Sequence, residues 1–296
     1  MADFTGISVW VTALAGLSSL ALAGLALTPR PRTRLHWSFA AGMLAFAVES
    51  GAVLALLAAP PLPGTALGWL RLREVTGLLV PIPWLIFIGA LASARARSLR
   101  LAWRLGLGAG VLALAVLAVG ALTGPLFELS VIPGPFEGAP LVGWGPYVVV
   151  GQLLEAVAVL AGLELCLRTS ASTARWRIKY LVVGLGGVFL IRFYLASQVL
   201  LFHTLLPVYL TTAAATLFVG NLVIGVALAR DRFRNVELRV SPTLVYRSVV
   251  VGVLGVYLSV VGGLGWVLNR LAIGQEIFWG SIVVFVLAIG LAAALL

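Results

Sequence analysis

Three ionisable residues lie deep inside long apolar runs: Glu49, Glu155 and Arg192. A charge at such depth in a bilayer is costly and marks a functional site by default. Glu155 and Arg192 fall near the middles of two consecutive runs that must be antiparallel, so they are placed to meet as an ion pair. One acid neutralises one base. The extra carboxylate, Glu49 or Glu155, is then protonated or completes a three-membered cluster. Gln152, Tyr194, Gln198 and Asn221 extend the same layer. Such a set can form a buried polar pocket or a relay that senses a ligand, a proton or the state of the membrane. It can equally be an interhelical clasp that fixes packing, where each bond averages about 0.6 kcal/mol. Glu74, beside Arg71 and Arg73, reads as an interfacial charge cluster, and Glu164 as the i,i+4 partner of Arg168.

Other chemistry is mostly excluded. The two histidines, His36 and His203, belong to no H-E-x-x-H pair. The single lysine, Lys179, follows no glycine-rich phosphate loop, and no G-x-S-x-G elbow occurs. No metal or cofactor is expected. The exosortase-like transpeptidases are membrane enzymes of similar size that use Cys, Arg and His. Cys166, Arg192 and His203 would have to play those parts. Cys166 falls at the inner end of one run and His203 at the outer end of the next, too far apart for a nucleophile and its base.

The elements that carry these residues follow from composition. Of 296 residues, 61% are hydrophobic and 10% charged, with a mean hydropathy of +1.12. Soluble domains carry about 25% charged residues, so this is an all-α integral membrane protein. Helical crossing needs about 20 apolar residues. Nine runs qualify, at about 7–27, 37–59, 75–92, 105–123, 146–167, 180–201, 207–229, 244–268 and 277–296. The expected architecture is a polytopic bundle of about nine transmembrane helices. Pro146 and Pro207 suit helix starts, and Pro81 with Pro83 predicts a kink in the third run.

The net charge of +10 comes in short bursts between apolar runs, which is topogenic and not a nucleic-acid surface. Four alternate loops hold 16 of the 20 basic residues. Those loops face the cytoplasm, which puts the N-terminus outside and the C-terminus inside. The first run has no positive leading segment, so it reads as an anchor and not a cleaved signal. The longest external loop, about 124–145, contains Glu128, Glu137 and several Pro and Gly residues, and it reads as a re-entrant cap or sensor surface. Glycines such as Gly184, Gly186 and Gly187 allow close helix approach. The nine tryptophans lie mostly near run ends and read as an aromatic belt. Cys166 is the only cysteine, so no disulfide can form within the chain.

Two stretches carry a resemblance. One is Arg175-Trp176-Arg177-Ile178-Lys179-Tyr180-Leu181, continuing through Gly184-Leu185-Gly186 and Arg192-Phe193-Tyr194 to Ser197-Gln198. The other is Arg232-Phe233-Arg234-Asn235-Val236-Glu237-Leu238, leading to Ser241-Pro242-Thr243-Leu244-Val245-Tyr246-Arg247-Ser248. Over about 175–260 the chain resembles the membrane-embedded sensor region of the PEP-CTERM-system histidine kinases, the PrsK type. The resemblance implies a homodimer in the bacterial inner membrane. It also implies a cytoplasmic GAF-like domain and a kinase core acting on a response regulator of exopolysaccharide and protein-sorting genes. Residues 1–296 hold no phosphoacceptor histidine box and no ATP-binding module, so this polypeptide is expected to be inactive as a kinase on its own. It stops within an apolar run at Leu296, which reads as a fragment. The rival reading is a small secondary transporter built around Glu49, Glu155 and Arg192. Transporters of that kind often show inverted repeats with broken helices in both halves, and one Pro81/Pro83 kink gives no such symmetry.

Overall fold

The computed structural model describes residues 2–28, 33–58, 63–93, 99–128, 138–169 and 172–232. Within them the chain is helical: α1 (Ala2–Ala26), α2 (Arg34–Ala58), α3 (Pro63–Leu79), α4 (Pro81–Ser93), α5 (Leu99–Thr123), α6 (Gly145–Thr169), α7 (Ser172–Phe202) and α8 (Pro207–Arg232). Six segments are long and apolar enough to cross a bilayer, and α5 adds the shorter apolar stretch Gly110–Thr123. These account for the first seven expected runs. The last two, 244–268 and 277–296, lie outside the described residues, as does most of the loop that carries the second resemblance.

The third run begins earlier than expected. Hydropathy places its start at about residue 75, with Arg71, Arg73 and Glu74 at an outer boundary. The helix in fact runs from Pro63, and Thr65–Leu91 forms one membrane-length unit. Arg73 and Glu74 pair with each other inside the bundle, so the charges do not stop the helix. The expected break is present: α3 ends at Leu79 and α4 begins at Pro81. Val80 still donates to the Thr76 carbonyl at 3.0 Å, but Pro81 has no N–H to continue the ladder. Proline also starts α8 and stands second in α6, as first-turn prolines should.

The helices close into a ring. α1 packs on α2 and α8, α2 on α3 and α4, α4 on α6, α6 on α7, and α7 on α8, while α5 leans on α3 and α6 from outside. Glycine sets the α7–α8 spacing: a Cβ at Gly184 would lie 2.9 Å from the Gly220 carbonyl, and one at Gly220 would lie 2.5 Å from Val188. Outward faces carry Leu17, Leu112, Val116, Val119 and Leu154, the apolar surface that lipid requires. Trp10 and Trp37 are also exposed, but Trp84 departs from the belt pattern. It is fully buried against Phe39, Phe46 and Phe87, with ring centroids 5.5–5.9 Å apart, and its ring lies on Gly42, where a Cβ would sit 2.5 Å away.

One end of the ring carries a small polar-backbone cap. β1 (Ala139–Pro140) pairs antiparallel with β2 (Thr204–Leu205), and Phe127 bridges Leu141. His203 turns the chain between α7 and α8 with φ +50°, and its carbonyl accepts from Leu141 N at 2.8 Å. The long loop is therefore strapped onto the α7–α8 turn through its described parts.

The buried apolar side chains fall into two clusters, not one. The first contains Met43, Phe46, Val80, Trp84, Ala156, Val159, Leu185 and Phe189. The second contains Val53, Leu70, Leu78, Val148, Val149, Ile191, Leu195 and Tyr209. On α2, α6 and α7 the switch between clusters falls at Glu49, at Gln152 and Glu155, and at Arg192. A polar layer divides the core.

Candidate functional site

Arg192 reaches across the ring from α7 to α2. Its two terminal nitrogens donate to the two oxygens of Glu49 at 2.6 and 2.7 Å. This fork-to-fork geometry is the strongest form of a guanidinium–carboxylate contact. The guanidinium also stands 5.7 Å from the centre of the Phe46 ring, adding a cation–π contact. The expected partner of Arg192 was Glu155, and the structure corrects this. Arg192 spends both nitrogens on Glu49, and neither oxygen of Glu155 accepts a hydrogen bond from the described residues. The sequence fixes the depth of both carboxylates but not which one faces the arginine across the ring.

A second ion pair lies beside the first. Arg73 donates to Glu74 on the same helix, and Gln152 from α6 donates to Glu74 at 2.7 Å. Glu74 is 1% exposed, so the carboxylate expected in an interfacial cluster is in fact enclosed. Gly77 makes room: a Cβ there would lie 3.0 Å from the Gln152 amide nitrogen and 3.5 Å from a Glu49 oxygen.

Beside these pairs lies a cavity of about 40 Å³. Arg73, Glu74, Gln152, Glu155, Arg192 and Tyr209 form its polar part, and Val149, Phe189, Leu195, Val199, Leu205 and Ala213 much of its apolar wall. Leu205 belongs to β2, so the strapped turn helps close it. Glu155 is 7% exposed and Tyr209 2%, and the Tyr209 hydroxyl, like the Glu155 carboxylate, has no hydrogen-bond partner among the described residues. An unmet buried acceptor costs about 1–3 kcal/mol, and more when charged. The site holds polar capacity that the described residues do not use.

Of the seven residues expected to form the polar layer, Glu49, Gln152, Glu155 and Arg192 come together. Tyr194 and Gln198 are half-buried on α7 and do not line the cavity. Asn221 lies elsewhere, between α8 and α1, where its amide nitrogen donates to Ser18 and Ser19 at 2.9 and 2.8 Å. Tyr209, Glu74, Arg73 and Gly77 were missed as members. The charges in 65–91 were the available signal for two of them, whereas a tyrosine near the start of a span looks like a belt residue.

The transpeptidase arrangement fails on geometry. Cys166 is buried near the end of α6, its thiol 3.7 Å from the Ile88 carbonyl, and His203 lies beyond the far end of α7, about 40 Å of helix away. The Glu164–Arg168 pair involves an arginine side chain outside those described. Among the described residues, no group of three or more His, Cys, Asp or Glu is placed to hold a metal ion.

The model of one protein family, the N-terminal 7TM region of histidine kinase, matches residues 11–237. The chain belongs to that family. With α3 and α4 taken as one crossing, the described helices number seven, and the match ends just past α8. Membership in a histidine-kinase 7TM region favours neither the transporter nor the transpeptidase alternative. No curated protein and no solved structure matched the chain.

Proposed function

We propose that this chain is the signal-input module of a bacterial histidine kinase of the PEP-CTERM system, the PrsK type. It would sit in the inner membrane as a homodimer, with its N-terminus outside and its C-terminal side facing the cytoplasm. The family match to a histidine-kinase 7TM region carries the reading. The basic-aromatic stretches at 175–198 and 232–248 support the subtype, and the partition of arginines among the loops supports the orientation.

The module works by biasing two arrangements of the bundle. A stimulus shifts such an equilibrium only by its differential affinity for the two states. The polar layer is where that difference arises, because α2, α3, α6 and α7 meet there through charges and not through interchangeable apolar contacts. The output is the activity of a GAF-like and kinase region toward a response regulator.

The test is autophosphorylation of the kinase that carries this region, reconstituted in liposomes. Glu155→Gln and Arg192→Ala should alter the regulated phosphorylation level while the protein remains folded. Unchanged regulation after residues 1–232 are replaced by unrelated helices would sink the proposal, as would substrate flux through the bundle without phosphorylation.

A further inference from the structure

We infer that the cavity between α3, α6, α7 and α8 is a binding site for a small primary ammonium ion. This rests on the input-module reading only for its consequence, not for its chemistry. Both guanidiniums at the site are already engaged, Arg192 with Glu49 and Arg73 with Glu74. The Gln152 amide is turned to Glu74 as well. What the described residues leave over is mainly acceptor capacity: both oxygens of Glu155 and the hydroxyl oxygen of Tyr209, each on a residue more than nine-tenths buried and lining the cavity.

Charge points the same way as hydrogen bonding. With Glu155 ionised, the three carboxylates (Glu49, Glu74, Glu155) and two guanidiniums (Arg73, Arg192) of the layer carry a formal sum of minus one; Arg71, whose Nε is also without a partner among the described residues, does not line the cavity. A monocation balances it, whereas an anion would double the imbalance next to Glu155. The Nε of Arg73 is also without a partner, but Glu74 already neutralises that guanidinium, so this donor does not reverse the sign.

Size and walls narrow the class. One water occupies roughly 10–15 Å³ on the measure by which the cavity is about 40 Å³. That leaves room for roughly two to four heavy atoms. Leu195, Val199, Leu205 and Ala213 also line the cavity, a surface suited to a short alkyl group. An ammonium can donate to Glu155 and to the Tyr209 oxygen, with its alkyl end on this wall, and so meets the open acceptors.

The test uses the full 296-residue chain in lipid nanodiscs near neutral pH, with ethylammonium as the probe. Ethanol, acetate and tetramethylammonium serve as matched controls that lack, in turn, the charge, its sign and the N–H donors. Ethylammonium should raise the unfolding temperature saturably and show saturation-transfer contact, and the controls should not. Glu155→Gln should weaken binding about tenfold or more, the loss expected for a charged hydrogen bond, and Tyr209→Phe should weaken it severalfold. If Glu155→Gln does not fold, the control series and Tyr209→Phe decide. An equal response to ethanol or tetramethylammonium overturns the site. So does an infrared band of a protonated Glu155 carboxyl that persists at saturating ethylammonium, since a proton then fills the place. Absent binding with regulation of the kinase intact removes this site and spares the input-module reading. Selective binding with no effect on phosphorylation does the reverse.

Discussion

The described residues form two buried polar junctions, and they are built to opposite specifications. The α1–α8 junction is neutral: Asn221 donates to Ser18 and Ser19, both serines donate onward to the Ala15 carbonyl at 2.9 Å, and Ser8 meets Thr211 at 2.9 Å, with the uncharged Asn221 Oδ1 left without a donor among the described residues. None of these residues lines the cavity. The α2–α3–α6–α7 junction is charged, borders the cavity and leaves a carboxylate unmet. A neutral chain of hydroxyls holds two helices at little electrostatic risk. An ionic layer with surplus acceptors is a poor way to fix a structure, and it makes sense as a place where the protein waits for something.

The largest test of that contrast is Glu49→Ala. It strands the Arg192 guanidinium, and the cost should be about 3–5 kcal/mol in reversible unfolding from mixed micelles. Replacing the pair together, Glu49→Leu with Arg192→Met, should recover most of that loss, because two well-packed apolar residues often replace a buried ion pair without penalty. A double replacement as damaging as Glu49→Ala would mean the layer is structural after all. Next comes Gly77→Val, which pushes against Gln152 and Glu49 and should cost about 1–3 kcal/mol in the same assay. Asn221→Leu should cost less, about 0.6 and at most 1.7 kcal/mol, with kinase regulation unchanged. The smallest stability effect should be that of Glu155→Gln, within about 1 kcal/mol of the parent or slightly stabilising, because it removes a buried carboxylate that lacks a hydrogen-bond donor. If Asn221→Leu changes regulation and Glu155→Gln does not, the roles assigned to the two junctions are reversed.

The bundle was readable because a bilayer permits few solutions: long apolar runs become helices, and prolines mark their joints. Thus α1, α2, α6, α7 and α8 lie close to where hydropathy places them. The site was readable in depth but not in azimuth. Glu49, Glu155 and Arg192 announce themselves as charges in apolar runs. Which of them touch depends on how the helices rotate about their axes, and apolar sequence hardly encodes that when every face is greasy. Arg73 and Glu74 were misplaced for a related reason: a charge cluster at the edge of an apolar run looks the same whether the helix ends there or continues with its charges turned inward. Trp84 shows the converse case, an interfacial residue type drawn into the core by Gly42.

The 31 residues of α7 make a rod about 46 Å long, against a hydrocarbon core of about 30 Å. Arg192 sits well along this rod, and residue 175 lies 17 positions nearer its start, about 25 Å away at helical rise. With Arg192 as fulcrum, a tilt of roughly 10° would swing residue 175 by about 4 Å. A change too small to alter the fold at the ion pair thus becomes a displacement of nearly one helix radius at the rod's far end, obtained from leverage alone.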